Sequence, residues 1–338
     1  MRSRFLSCVC AIALPIGASA AAQNEAAGRA ERREMKAAAH AYQGRNRGSE
    51  QTDRVSRRIK LSPNGSVSVS NISGDIVITT TSGDEVSIEA VKRANRGRLS
   101  DVTIDINEAP NRVDVHTNYL GGNTDISVDY TIAVPASASV DVHSVSGDVK
   151  VTGAQGLVRL ESVSGNITVA GTPRLEKAKS VSGDVTLTDT TGDGDISLGS
   201  ISGTIHANGL KSRGVDVSSV SGDVTLASVA CERLDAKSMS GDLAYEGTLA
   251  RSGRYNLNSH SGTVRLVLAN ASGFVLDAST FSGSIDSDLP LTIGGNADRG
   301  RDERRHGPNS HRVQGSFGDG SAVITVRTFS GDITIQKR

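Results

Sequence analysis

The chain has 338 residues, 37 Lys and Arg against 37 Asp and Glu, and 3% aromatics with no tryptophan. Zero net charge removes the general electrostatic case for nucleic acid or an anionic bilayer as partner. The length allows one large domain or two modest ones.

In chain order, residues 1–20 read as a secretory signal peptide. Arg2 and Arg4 supply the positive start, Phe5 to Ile16 the short apolar run, and Ala18-Ser19-Ala20 the small-residue cleavage site. That run is short for a bilayer span, and no later one is long enough. Cleavage removes Cys8 and Cys10 and leaves Cys231 alone, so no internal disulfide is expected. Residues 21–58 are rich in Ala, Arg and Glu without strand alternation and read as a helical or disordered linker. Its basic cluster, Arg54, Arg57 and Arg58, reads as solvated. Residues 59–139 carry longer alternating runs, among them Val102-Thr-Ile104-Asp-Ile106 and Ile126-Ser-Val128-Asp-Tyr130, and predict an N-terminal β cap over otherwise open strand edges.

From residue 140 a Ser-Gly-Asp-like tripeptide recurs. Its glycines are Gly147, Gly165, Gly183, Gly203, Gly222, Gly241, Gly262 and Gly283, spaced 18, 18, 20, 19, 19, 21 and 21 residues apart, with outlying copies at Gly74 and Gly331. A period near 20 with strand-forming flanks predicts an all-β, single-stranded β-solenoid, β-helix-like, with coils of about 18–21 residues. An antiparallel sandwich would repeat equivalent positions only at every second strand. The solenoid spans 140–338, with a polar insertion at 294–312, and Ile335 is expected at its C-terminal edge.

The register predicts which side chains face inward. Two and four places after each glycine stand apolar residues such as Val149 and Val151, or Ile167 and Val169. Two places before it stand Val145, Val163, Val181, Ile201, Val220, Met239, His260 and Phe281. Period-two counting puts all of these, with the glycine, on the inward side. Three places before the glycine a serine or threonine recurs, from Ser144 to Thr280; the face is expected to switch there, at a hydroxyl-lined corner. Each coil is then two strands closed by a variable loop.

Chemistry is sparse. Aspartates follow the glycine at Asp148, Asp184, Asp223 and Asp242, and stacked carboxylates offer oxygens to calcium. Only Asp223 and Asp242 are neighbours. Two like charges about 4.8 Å apart cost roughly 1 kcal/mol in water-like surroundings, so no metal is required. A turn-forming role is preferred, with Asp223 and Asp242 as the remaining calcium candidates. The histidines show no metal-ligand spacing; His260 sits at a predicted inward position. No catalytic residue and no cofactor are assigned. Some solenoids act on polysaccharides, but outward positions here are mostly Ser, Thr, Asp and Lys, without aromatic platforms for sugars.

Several segments together resemble a known family: Gly65-Ser-Val-Ser-Val, Asn71-Ile-Ser-Gly-Asp-Ile76, Thr131-Ile-Ala-Val-Pro135, the repeated Ser-Val-Ser-Gly-Asp-Val coils and the closing Thr328-Phe-Ser-Gly-Asp-Ile-Thr-Ile335. Over roughly residues 60–338 the chain is similar to the bacterial putative-adhesin family, whose repeat domain is of unknown function. The resemblance implies an exported β-solenoid of the envelope and carries over no catalytic residues. The reading is therefore a non-catalytic protein, periplasmic, surface-bound or secreted, presenting Ser, Thr and Asp to an envelope polysaccharide or protein. The alternatives are a scaffold assembling end to end through self-association, and a polysaccharide-active enzyme.

Overall fold

The computed structural model describes residues 51–94, 98–120, 125–269, 273–292 and 311–338. The expected signal peptide, most of the expected linker and nearly all of the polar insertion lie outside them. No helix among the described residues is long and apolar enough to cross a membrane.

Each repeat forms two short strands joined at the Ser-Gly-Asp bend. The Gly147 coil is Ser139–Ser146 followed by Val149–Thr152; the Gly165 coil is Val158–Ser164 followed by Ile167–Ala170. Successive coils pair in parallel and in register. Val140 lies opposite Val158, Val142 opposite Leu160, and Val149 opposite Ile167. Like therefore stacks on like, and the inward Val, Ile and Leu side chains build one continuous buried column. The protein is an all-β solenoid. From the Gly203 coil to the Gly262 coil a short third side also pairs, Ser212 with Cys231 and Cys231 with Leu249, so the closing loop there is partly strand.

The bend needs glycine twice over. The repeat glycines hold φ between +112° at Gly74 and +158° at Gly203, where side chains are disfavoured. A Cβ on Gly165 would also lie 2.0 Å from the Gly147 carbonyl oxygen, and the same contact recurs from Gly147 through Gly331. The glycine is thus excluded from bearing a side chain by the neighbouring coil, not by the interior.

This geometry corrects the predicted parity. Alternation runs unbroken from Val140 through Val142 to Ser144, so the serine row continues the inward face, and Ser144, Ser162, Ser180 and Ser200 are buried. The face switches at the glycine. A positive φ breaks the pleat, and Val145 and its equivalents point outward while Val149 points inward. His260 is likewise exposed.

Stacking order departs from chain order at two places. The Gly74 copy, expected within the N-terminal cap, is Ser66–Ser73 and Ile76–Thr81. It pairs directly under the Gly147 coil and is the first true coil. Beneath it two walls extend, one through Arg112–Tyr119 and Val102–Ala109, the other through Ile126–Pro135, Glu85–Ala94 and Gln51–Lys60. The linker expected to reach residue 58 is therefore strand from Gln51 onward. At the other end, the Gly331 coil (Ala322–Ser330 and Ile333–Lys337) lies between the Gly262 and Gly283 coils. Ile335 is fully buried between Leu266 and Ser287, not at an edge. The outermost level is the Gly283 coil, and His311–Gly318 runs antiparallel along its outer side. The chain then crosses the start of that coil to insert its last two strands. The crossing is so close that a Cβ on Gly273 would meet the Asp319 amide at 2.2 Å.

Candidate functional site

The outward turn of the residue before Ser-Gly-Asp lines up one apolar side chain per coil. In stacking order the row is Ile72, Val145, Val163, Val181, Ile201, Val220, Met239, His260, Phe329 and Phe281. Its apolar members are between 41% exposed, at Phe281, and 56% exposed, at Met239. Single exposed apolar residues need no explanation, but an unbroken row along the length of the rod does.

The row has two halves. From Ile72 to Val220 its side chains form one wall of a groove of about 690 Å³. The opposite wall is the outward row two residues earlier, including His143, Glu161 and Lys179, and the serine row lies between. Beyond Val220 the side chains become bulky. His260, Phe329 and Phe281 stack face to face, with ring centres 5.1 and 4.9 Å apart and planes within 8° and 3°. Stacked this way, the rings turn their edges, not their faces, to solvent.

The charged wall is internally paired. His143 contacts Asp141 at 3.2 Å and Glu161 at 3.3 Å, and Lys177 pairs with Glu161. The Lys177 hydrogen bond, more than the nearby His143, holds the Glu161 carboxyl below its usual range. Exposed pairs of this kind contribute no more than about 1 kcal/mol.

The aspartates that follow the glycine tie each coil to the next. Asp148 Oδ1 accepts from the Asn166 amide N–H at 2.9 Å, Asn166 Oδ1 from Asp184 at 2.9 Å, and Asp184 Oδ1 from Thr204 at 2.7 Å. The calcium candidates belong to the same relay: Asp223 Oδ1 accepts from the Asp242 amide at 2.9 Å, and Asp242 Oδ1 from Thr263 at 2.7 Å. One oxygen of each is committed between coils, and Asn166 in the series shows that an amide oxygen serves as well as a carboxylate. Among the described residues no group of three or more His, Cys, Asp or Glu is placed to hold a metal.

Cys231 is buried, and burial pushes its thiol up to about 12. Beside it Tyr255 donates to the Cys231 carbonyl at 2.6 Å and accepts from the Ala250 amide at 2.8 Å. Burial likewise raises the Tyr255 phenol to about 12. This is a packed interior cluster, which suits an inert thiol.

Sequence reasoning put the recognition surface on Ser, Thr and Asp and missed the apolar row. The signal was present: His260, Met239 and Phe281 occupy a row assigned to an interior that elsewhere takes mostly aliphatic side chains.

A family model described as Toastrack DUF4097 matches residues 154–336. Among solved structures, a putative adhesin from Bacteroides fragilis NCTC 9343 is 14% identical, covering 84% of this chain and 97% of its own, with a TM-score of 0.42. A putative adhesin from Parabacteroides distasonis ATCC 8503 is 13% identical over 85% of this chain and 97% of its own, with a TM-score of 0.36. A putative cell adhesion protein from Clostridium sporogenes ATCC 15579 is 10% identical over 85% and 100%, with a TM-score of 0.22. No curated protein matches the chain.

Proposed function

Because the chain belongs to the Toastrack DUF4097 family, whose repeat is of unknown function, we propose that it is an exported, non-catalytic binding protein of the cell envelope, of adhesin type. Its contact surface is the apolar row with its groove. The observation that carries this reading is the row itself: nine half-exposed Val, Ile, Met and Phe side chains in line, one per coil. Burying the remaining surface of one such side chain stabilises a complex by about 1 kcal/mol. Repetition along a rigid rod makes many weak contacts into one specific one. The Ser, Thr and Asp surface is the lesser contributor, since the aspartates are engaged between coils.

Assembly end to end finds less support. Antiparallel strands, Gln51–Lys60 at one end and His311–Gly318 at the other, lie outermost in the stack. The outermost at one end, Gln51–Lys60, carries Arg54, Arg57, Arg58 and Lys60, a charge pattern that blunts strand edges against further pairing.

The test is retention of envelope fractions, protein and polysaccharide, on the immobilised full-length chain. The wild type is expected to retain a component that Val181→Asp/Ile201→Asp loses with its circular dichroism unchanged. Equal retention by both removes the row from recognition.

A further inference from the structure

We infer that the occupant of the apolar row is a second copy of this chain, lying antiparallel. The inference rests on the reading that the row is a contact surface, and it names the partner. The first argument is period. The row repeats at the inter-strand spacing, about 4.8 Å. An α-helix offers turns about 5.4 Å apart. It slips by about 0.6 Å per coil and is half a repeat out of step after about four coils. A second stack of β-coils stays in step along the whole row.

The second argument is shape. The row is asymmetric, grooved from Ile72 to Val220 and ridged from Met239 to Phe281. Turn one copy end over end about a two-fold axis between the Ile201 and Val220 levels. Phe281 then meets Ile72, Phe329 meets Val145, His260 meets Val163 and Met239 meets Val181. Each bulky side chain falls opposite an aliphatic Val or Ile, so the ridged half of each copy meets the grooved half of the other. A parallel pair would set ridge against ridge and groove against groove. The contact is isologous, as two-fold dimers require.

The third argument is area. The nine spacings of about 4.8 Å between ten levels, and a strip five residues wide at about 3.3 Å each, give about 700 Å² per copy. The total of about 1,400 Å² falls within the range of specific interfaces, about 1,200–2,000 Å². At the rim Asn258 faces Glu161 and Lys237 faces Lys179. Lys237 has Asp235 beside it at 3.1 Å, which offsets the like-charge contact.

Sedimentation velocity on the full-length chain over a concentration series tests this. The wild type is expected to dimerise. Val163→Lys and His260→Glu, both at exposed positions, should each weaken the dimer at least about tenfold with unchanged circular dichroism. An equimolar mixture of the two variants should recover it, since the introduced lysine of one copy then faces the introduced glutamate of the other. A wild type that stays monomeric throughout overturns the inference. So does a mixture no tighter than the single variants, because the antiparallel pairing is what brings these positions together. If the wild type is monomeric and the Val181→Asp/Ile201→Asp variant still loses an envelope component, the row binds something else and only the identity of the partner fails. If neither effect appears, the row is no contact surface.

Discussion

Replacing Gly222 by alanine isolates what the bend demands. Gly222 holds φ +144°, and a Cβ there would lie 2.3 Å from the Gly203 carbonyl oxygen, where ordinary contact begins near 3.4 Å. Forcing a side chain into that backbone region costs about 1–3 kcal/mol. Relieving the clash requires the two coils to part by about 1 Å, against the 3.4 Å contact limit. That movement strains the bonds between those two coils, Gly203 N–H to Ser221 O at 3.2 Å and Ile205 N–H to Asp223 O at 2.9 Å, each worth about 1 kcal/mol. The sum is about 3–5 kcal/mol. Gly171→Ala is the control: φ is +63°, but nothing lies within 4 Å of a Cβ there, so only the backbone term remains, about 1–2 kcal/mol. Urea unfolding followed by circular dichroism measures both, and amide exchange in the Gly203 and Gly241 coils shows whether the damage is local. Equal costs for the two substitutions would refute the argument that coil-to-coil approach, rather than backbone angle, fixes glycine at the bend.

Asp223→Asn should leave stability unchanged, because the amide oxygen still accepts from the Asp242 N–H, whereas Asp223→Ala should cost about 1 kcal/mol in the same urea assay. Deleting residues 322–338 removes a level from inside the stack. Ile324, Val326, Ile333 and Ile335, all fully buried, are lost from the core at about 1.5–3 kcal/mol each, and exchange protection should vanish from the Gly283 coil as well. Burial raises the Asp277 carboxyl, but Arg312, donating to both its oxygens at 3.0 Å, outweighs burial and holds it below its usual range. A carboxyl lowered in the fold stabilises above its unfolded value and loses that contribution as pH falls through the folded one. Stability of the C-terminal end should therefore decline below about pH 4. In Arg312→Ala only the weaker effects of Gln314 and Arg327 still oppose burial, and the decline should begin at higher pH in acid titration followed by amide exchange.

The solenoid was legible because stacking repeats a bend in register, and a bend tight enough to need glycine leaves an unmistakable period. The face of the residues before the bend was not legible. Alternation counting assumes extended backbone throughout, and at Gly147 and its equivalents a positive φ interrupts the pleat. Val145 and Val149 are both apolar and four apart, yet they lie on opposite sides. The place of the last coil was hidden for a different reason. Every coil offers the same pairing edge, so the repeat says that Val326 and Ile335 stack, not on which level. The trace of the excursion was the 48-residue gap between Gly283 and Gly331, long enough for Gly273–Ser282 to be passed, flanked by His311–Gly318 and crossed at Gly273.

That crossing ties the order of synthesis to the order of assembly. A simple solenoid grows by adding coils to its tip as the chain emerges, and a chain cut short is merely a shorter rod. Here the Gly283 coil is made before the level that must lie beneath it. Until Ala322–Lys337 arrives, that coil has either an empty level below it or a wrong neighbour, the Gly262 coil, to which it would pair in the same register. The last two strands must therefore hold open or displace a contact already available to the chain. Their arrival is a closing step that a product ending before Ala322 cannot perform, so the outer levels of the stack differ between a chain that carries these strands and one that lacks them.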